Sequence, residues 1–92
     1  MSLTFEWDPK KDGSNRRKHG VSFSEASTAF ADPLSITRPD PDHSASENRF
    51  VLLGLSARGR LLVVAHTERG DNIRVINARL ATSREREAYE EA

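Results

Sequence analysis

Apolar and polar residues alternate from Leu3 to Trp7, the period of a short strand with one buried face, and Asp8-Pro9 ends the alternation. The same two residues signal a helix start. An Asp side chain accepts an orphan backbone N–H, and Pro at the first helical position lacks the N–H that would go unsatisfied. This helix is predicted to run to about Lys18, with Gly20 suited to a left-handed C-terminal cap. Gly13 inside it costs on the order of 1 kcal/mol relative to Ala. A second helix is predicted from Ser22-Phe23-Ser24-Glu25, which has the spacing of a capping box. Val21 is placed to staple onto Ala26, and Phe23, Ala26, Ala29 and Phe30 form an apolar stripe. Asp32-Pro33 ends that helix, and Leu34 to Thr37 reads as a brief strand. Arg38 to Asn48, made of Pro, Asp, Ser and His without periodicity, reads as an exposed, mobile loop.

The second half is strand-rich. Arg49 to Ser56 and Leu61 to Thr67 flank a hairpin turn at Ala57-Arg58-Gly59-Arg60, and Asn72 to Ala78 follows a second turn at Arg69-Gly70-Asp71. Three hairpin-linked strands make an antiparallel meander. Leu61-Leu62-Val63-Val64-Ala65 is apolar on both faces, which predicts a central strand covered on both sides at that end. Thr82 with Glu85 forms another capping box, opening a C-terminal helix from Ser83 to about Glu90 in which Ala88 and Tyr89 can face inward. The fold class is α+β in one domain over residues 1–92: N-terminal strand and helices, an antiparallel sheet, then a helix.

Composition narrows the function classes. A chain of 92 residues supports one modest core, burying roughly 60–65% of the surface its unfolded form exposes. With no cysteine, disulfides and thiolate chemistry are excluded, and the cytoplasm is the expected compartment. No apolar run approaches the roughly 20 residues of a membrane span, so a soluble protein is expected. Lys+Arg 14 against Asp+Glu 14 gives no net charge, but the charges are segregated. Lys10, Lys11, Arg16, Arg17 and Lys18 stand against Asp12 alone between residues 10 and 20, while Glu85, Glu87, Glu90 and Glu91 crowd the end. A local patch of this kind binds phosphate even in a neutral protein.

The first helix sharpens that reading. Lys11, Asn15, Lys18 and His19 fall at i, i+4, i+7 and i+8, so they share one face, and that face is basic where a structural helix would carry leucines. Further cations recur at strand ends, namely Arg49, Arg69, Arg74 and Arg79, followed by Arg84 and Arg86. Converging on one sheet face they would cradle an RNA backbone; paired with Glu47, Glu68 and Glu85 they would be ordinary surface charge. Histidines suit the two proton transfers of RNA cleavage, one from the ribose 2′-hydroxyl and one to the leaving 5′-oxygen. His19, beside Lys18, is the first candidate for this role, though a helix-end histidine equally serves as a cap. His66 reads either as a catalytic group or as a packing residue in the central strand, and His43 is given no role. No His, Asp or Glu spacing suits a metal, and no glycine-rich phosphate loop or nucleophile elbow is present.

In order along the chain, Phe5-Glu6-Trp7-Asp8, Lys11, Asn15, Lys18-His19-Gly20-Val21-Ser22-Phe23, Glu25-Ala26, Phe30, Asp32-Pro33, Arg49, His66-Thr67, Arg69-Gly70, Ile73-Arg74, Ile76, Ala78-Arg79 and Arg84-Glu85-Arg86 resemble the BrnT family. That family is the toxin half of a bacterial type II toxin–antitoxin pair. The resemblance implies a RelE-like fold and RNA cleavage without metal or cofactor. It also implies a BrnA-type antitoxin with a ribbon-helix-helix region, through which alone an operator DNA would be contacted. One departure is Asn77, where the family more often has serine. On this reading Lys18 and His19 transfer protons, and Lys11, Arg69 and Arg79 stabilise the phosphorane. Asn15 adds to the RNA contacts, and Arg49, Arg74 and His66 form a second tier. The alternative is a non-catalytic nucleic-acid or protein-binding regulatory module, which the zero net charge and acidic C-terminus favour.

Overall fold

The computed structural model describes residues 3–40 and 48–92. His43, Glu47 and most of the predicted loop lie outside these residues. In chain order the elements are β1 (Thr4–Glu6), α1 (Pro9–His19), α2 (Phe23–Thr28) running into a 3-10 turn (Ala29–Ala31), β2 (Ile36–Pro39), β3 (Arg49–Leu55), β4 (Leu61–Arg69), β5 (Asn72–Leu80) and α3 (Ser83–Glu91). The five strands form one sheet in the order β1-β5-β4-β3-β2. As predicted, β4 is central. The sheet is mixed where an antiparallel one was expected, because β1 lies parallel to β5, pairing Thr4, Phe5 and Glu6 with Asn72, Ile73 and Arg74. The connection from β1 passes through α1, α2 and all the other strands before reaching β5, so no local turn dictates its direction.

One sheet face carries the core. Val21, Phe23 and Ala26 from the start of α2 pack on Leu62, Val64, Val75 and Ala78, and Phe5, Trp7 and Phe30 close around them. Gly54 in β3 lets the 3-10 turn approach: a Cβ there would stand 2.9 Å from the Ala29 carbonyl oxygen. The register slips by one residue between Ala65 and His66, leaving Ile76 as the extra residue of a β-bulge.

The caps follow the sequence with one exception. Asp8 accepts from the Lys10 N–H at 2.9 Å, and Gly20 closes α1 in the left-handed region at φ 71°. Thr82 and Glu85 form both bonds of their capping box. Ser22 accepts from the Glu25 N–H, but the Glu25 carboxylate does not return the bond; it is drawn away to Ser56 and Arg60. Arg38 and Pro39, expected in the loop, belong to β2, where Arg38 pairs opposite Val51. Among the described residues no helix is long and apolar enough to cross a membrane.

Candidate functional site

Directly opposed residues of an antiparallel ladder send their side chains to the same face, so the register assigns the arginines. Arg49 lies opposite Thr67, which lies opposite Arg74. Val63 lies opposite both Leu53 and Arg79, and Arg69 opposite Asn72. All four arginines are therefore on one face, the one turned away from α2, together with Arg38 of β2. The face has an apolar middle of Val51, Leu53, Val63 and Ala65, and α3 crosses one end, where Glu85 and Ala88 border a groove with Ile36, Val51, Leu53 and Val63. Two arginines have carboxylate neighbours at 4.0 Å, Asp40 for Arg49 and Glu6 for Arg74.

Beside this face, α1 runs along the outer edge of β5. Between them is a cleft of about 380 Å³ lined by Lys11, Ser14, Lys18, His19, Asn77 and Arg79, with Asn15 and Ile76 at its base. Five of the residues singled out in the sequence thus meet here: Lys11, Asn15, Lys18, His19 and Arg79. Arg49, Arg69 and Arg74 share the sheet face but lie outside the cleft lining. Asp12, the one acid between residues 10 and 20, faces away from the cleft and accepts the Phe23 N–H at 2.9 Å, joining α1 to α2. The cleft keeps its positive charge.

Three assignments change, the first being Arg69, read as stabilising the phosphorane, which lies outside the cleft that holds Arg79. Asn15, read as an RNA contact, is buried, and its amide is fully employed inside the protein. It donates to the carbonyls of Val21 and Ala78, both at 2.8 Å, and accepts from the Ala78 N–H at 3.1 Å. This side chain is a structural pin and has no donor left for a phosphate. His66, a second-tier catalytic candidate, points to the core face and is 0% exposed. Phe30 meets its ring edge to face with centroids 4.7 Å apart, and Phe50 stacks at 6.0 Å. Its Nε2 lies 3.0 Å from a Glu68 carboxylate oxygen and its Nδ1 3.3 Å from the Val64 carbonyl. Buried on the face opposite the arginines, it cannot reach a substrate in the cleft. The bulge residue belongs to β5 and leaves β4 uninterrupted, so the alternation that puts Leu62 and Val64 on the core face puts His66 there as well.

Sequence reasoning missed Ser14, Ile76 and Asn77 as cleft residues, although Ser14 lies one helical turn from both Lys11 and Lys18. Pairing with Glu85, one of the alternatives offered for the strand-end arginines, is realised at Arg79. Nη1 and Nη2 of Arg79 grip the two carboxylate oxygens of Glu85 at 2.8 and 2.9 Å. The guanidinium holds the Glu85 carboxyl at about 2, against the opposing effect of burial, with the Thr82 N–H assisting. At the far end of α3, the Tyr89 hydroxyl donates to Asp32 at 2.6 Å. No residue of α3 is buried, and these two polar contacts tie it to β5 at one end and to the turn before β2 at the other.

The family model for the ribonuclease toxin BrnT of type II toxin–antitoxin systems matches residues 7–85. Comparison with curated protein sequences finds no match. Among solved structures, the chain is similar to the 1.1 Å crystal structure of the Brucella abortus ribonuclease toxin BrnT, with a TM-score of 0.68 and 20% sequence identity, covering 89% of this chain and 100% of that one. At that identity the likeness speaks for the fold.

Two outcomes follow from the geometry. Asn15→Ala leaves one buried N–H and two carbonyls without their partner, and is expected to lower the unfolding free energy by roughly 2–4 kcal/mol in urea titration. The Glu85 carboxyl is depressed from 4.5 to about 2, so its contribution to stability is complete above about pH 4.5 and is lost as pH falls towards 2. Acid titration followed by the α3 amide resonances should show that helix loosening across this window. In Glu85→Gln the dependence should flatten.

Proposed function

Because the chain belongs to the BrnT family of ribonuclease toxins of type II toxin–antitoxin systems, we propose that it is a metal-independent endoribonuclease that arrests growth by cutting RNA in the cytoplasm. The observation that carries this reading is the meeting of Lys11, Lys18, His19 and Arg79 on one cleft whose lining contains no carboxylate among the described residues. Such a cleft offers cations and proton carriers but no hard oxygen anions of the kind that hold a divalent ion. Cleavage needs the 2′-hydroxyl to attack the adjacent phosphorus while a base takes its proton. The bond to the 5′-oxygen then breaks as that oxygen receives a proton. Lys18 and His19 are the proton carriers in this scheme, and Lys11 and Arg79 meet the charge that builds on the phosphoryl oxygens. Arg49, Arg69 and Arg74 extend the contact along the sheet face, where flanking phosphates would lie.

A BrnA-type antitoxin carrying a ribbon-helix-helix region is the proposed partner, with operator DNA contacted through that complex alone. An arginine face invites an acidic segment whose carboxylates imitate RNA phosphates, so inhibition is expected to be competitive with RNA. Co-expression with the product of the adjacent gene should restore growth, and Arg69→Ala or Arg79→Ala should weaken its binding. A product that neither binds nor rescues would remove this partner.

Purified protein is expected to cleave RNA with a chelator present. A Lys18→Ala, His19→Ala double variant with an unchanged circular dichroism spectrum should lose about a hundredfold or more in rate. Activity that appears only on adding a divalent ion would overturn the metal-free mechanism, and full activity in the double variant would move proton transfer out of the cleft. RNA affinity should fall steeply with salt despite the zero net charge, with Lys11→Ala reducing the slope by about one contact.

A further inference from the structure

Arg79 is held in an arrangement that a solvated arginine does not adopt by itself. Its five N–H donors divide into an end-on pair, one from each of Nη1 and Nη2, a side-on pair from Nε and Nη2, and a remaining Nη1 hydrogen. Glu85 takes the end-on pair at 2.8 and 2.9 Å, and the Leu80 carbonyl takes the remaining Nη1 hydrogen at 3.2 Å. The side-on fork has no partner among the described residues. It is a pair of parallel donors, the geometry that matches two phosphate oxygens.

Glu85 is itself fixed. One of its oxygens accepts the Thr82 N–H at 2.8 Å, and its own N–H donates to the Thr82 hydroxyl at 3.2 Å. A helix cap therefore anchors the carboxylate, and the carboxylate anchors the guanidinium beside Lys11, Lys18 and His19.

We propose that Glu85 is a positioning residue: its carboxylate locks the far edge of Arg79 so that the free side-on fork is preset for the phosphate undergoing cleavage. This rests on the reading that Arg79 contacts the reacting phosphate. The ion pair lowers the net attraction for RNA, and in return the donors are already oriented when charge develops in the transition state. A carboxylate there would be a poor choice for binding alone.

The signature is a split between rate and binding. Glu85→Gln keeps a side chain of the same shape and an acceptor for the Thr82 N–H, but replaces one oxygen with a donor that repels the guanidinium. Its kcat for a short RNA should fall about ten- to a hundredfold. Its affinity for the uncleavable 2′-deoxy form of that RNA should hold or tighten, because the face gains one net positive charge. Glu87→Gln makes the same charge change on an exposed side of α3 outside the cap, and should stay within about twofold of the parent kcat. The Arg79 Nε–H resonance gives a readout apart from turnover. The 2′-deoxy RNA should shift it in the parent protein, and in Glu85→Gln it should broaden.

If Arg79→Ala loses cleavage while Glu85→Gln cleaves at the parent rate, positioning is overturned and the ribonuclease reading stands. If Glu85→Gln loses affinity and rate together, its role is structural. If Arg79→Ala cleaves normally, or the Nε–H resonance is blind to the RNA, Arg79 does not contact the phosphate and the positioning role falls with that assignment. A parent protein that cleaves no RNA would overturn the ribonuclease reading itself.

Discussion

The geometry of the cleft depends on closing the outer edge of β5. β1 pairs only with Asn72, Ile73 and Arg74, so from Val75 onward that edge would present unpaired backbone groups at the border of the core. An isolated N–H or C=O buried there costs on the order of 1–3 kcal/mol. The Asn15 amide answers Ala78 with both a donor and an acceptor, as a neighbouring strand would, and its second donor holds Val21 at the entrance to α2. A helix thus does the work of a strand at this edge. Because Asn15 must point at Ala78, the residues one turn either side, Lys11 and Lys18 with His19, are brought over the exposed part of β5 where Arg79 stands. Folding and site construction share one side chain.

Carboxylates complete the framework by leaving their expected places. Glu25 is buried, and it takes a hydrogen bond from the Ser56 hydroxyl at 2.8 Å and from the Arg60 Nε at 2.9 Å. Arg60 also reaches the Gly20 carbonyl at 3.0 Å, so one ion pair ties the α1 terminus, α2 and the turn after β3 together. Arg60 holds the Glu25 carboxyl below the ordinary carboxylate range, while burial works against it. An arrangement of this kind is justified by its specificity as a joint more than by net stabilisation, since a buried charge must first be stripped of water. Arg60 and Glu85 stand near the same end of the sheet on opposite faces: the first serves structure only, and the second serves structure and, if Arg79 contacts the phosphate, chemistry.

Most of the elements were legible from local chemistry. Asp8-Pro9, Gly20 and the Thr82–Glu85 box act over three or four residues, and each produced the boundary it signals. The apolar run from Leu61 to Ala65 likewise announced the central strand. What stayed hidden depends on residues far apart in the chain. The parallel pairing of β1 with β5, the pull of Arg60 on Glu25 and the use of Asn15 as an edge closure all need a partner that no spacing rule names. The helical face of Lys11, Asn15, Lys18 and His19 was recognised as a unit, yet a polar amide at its centre reads the same whether it faces solvent or a strand edge. Burial alone separates the two.

The contact that closes the β5 edge also carries a statement about time. Asn15 and Ala78 are separated by 63 positions, and β1 meets β5 across a similar span. Contacts this distant in sequence form late, because the intervening chain must be ordered before they repay the entropy of closing the loop. During synthesis, α1 can coil and carry its lysines into solution as soon as it emerges, but there is no Ala78 for it to lean on until 63 further positions have been added. The cationic cleft is therefore among the last features to come into being. A nascent chain carries α1 through the making of β2, β3 and β4 without one.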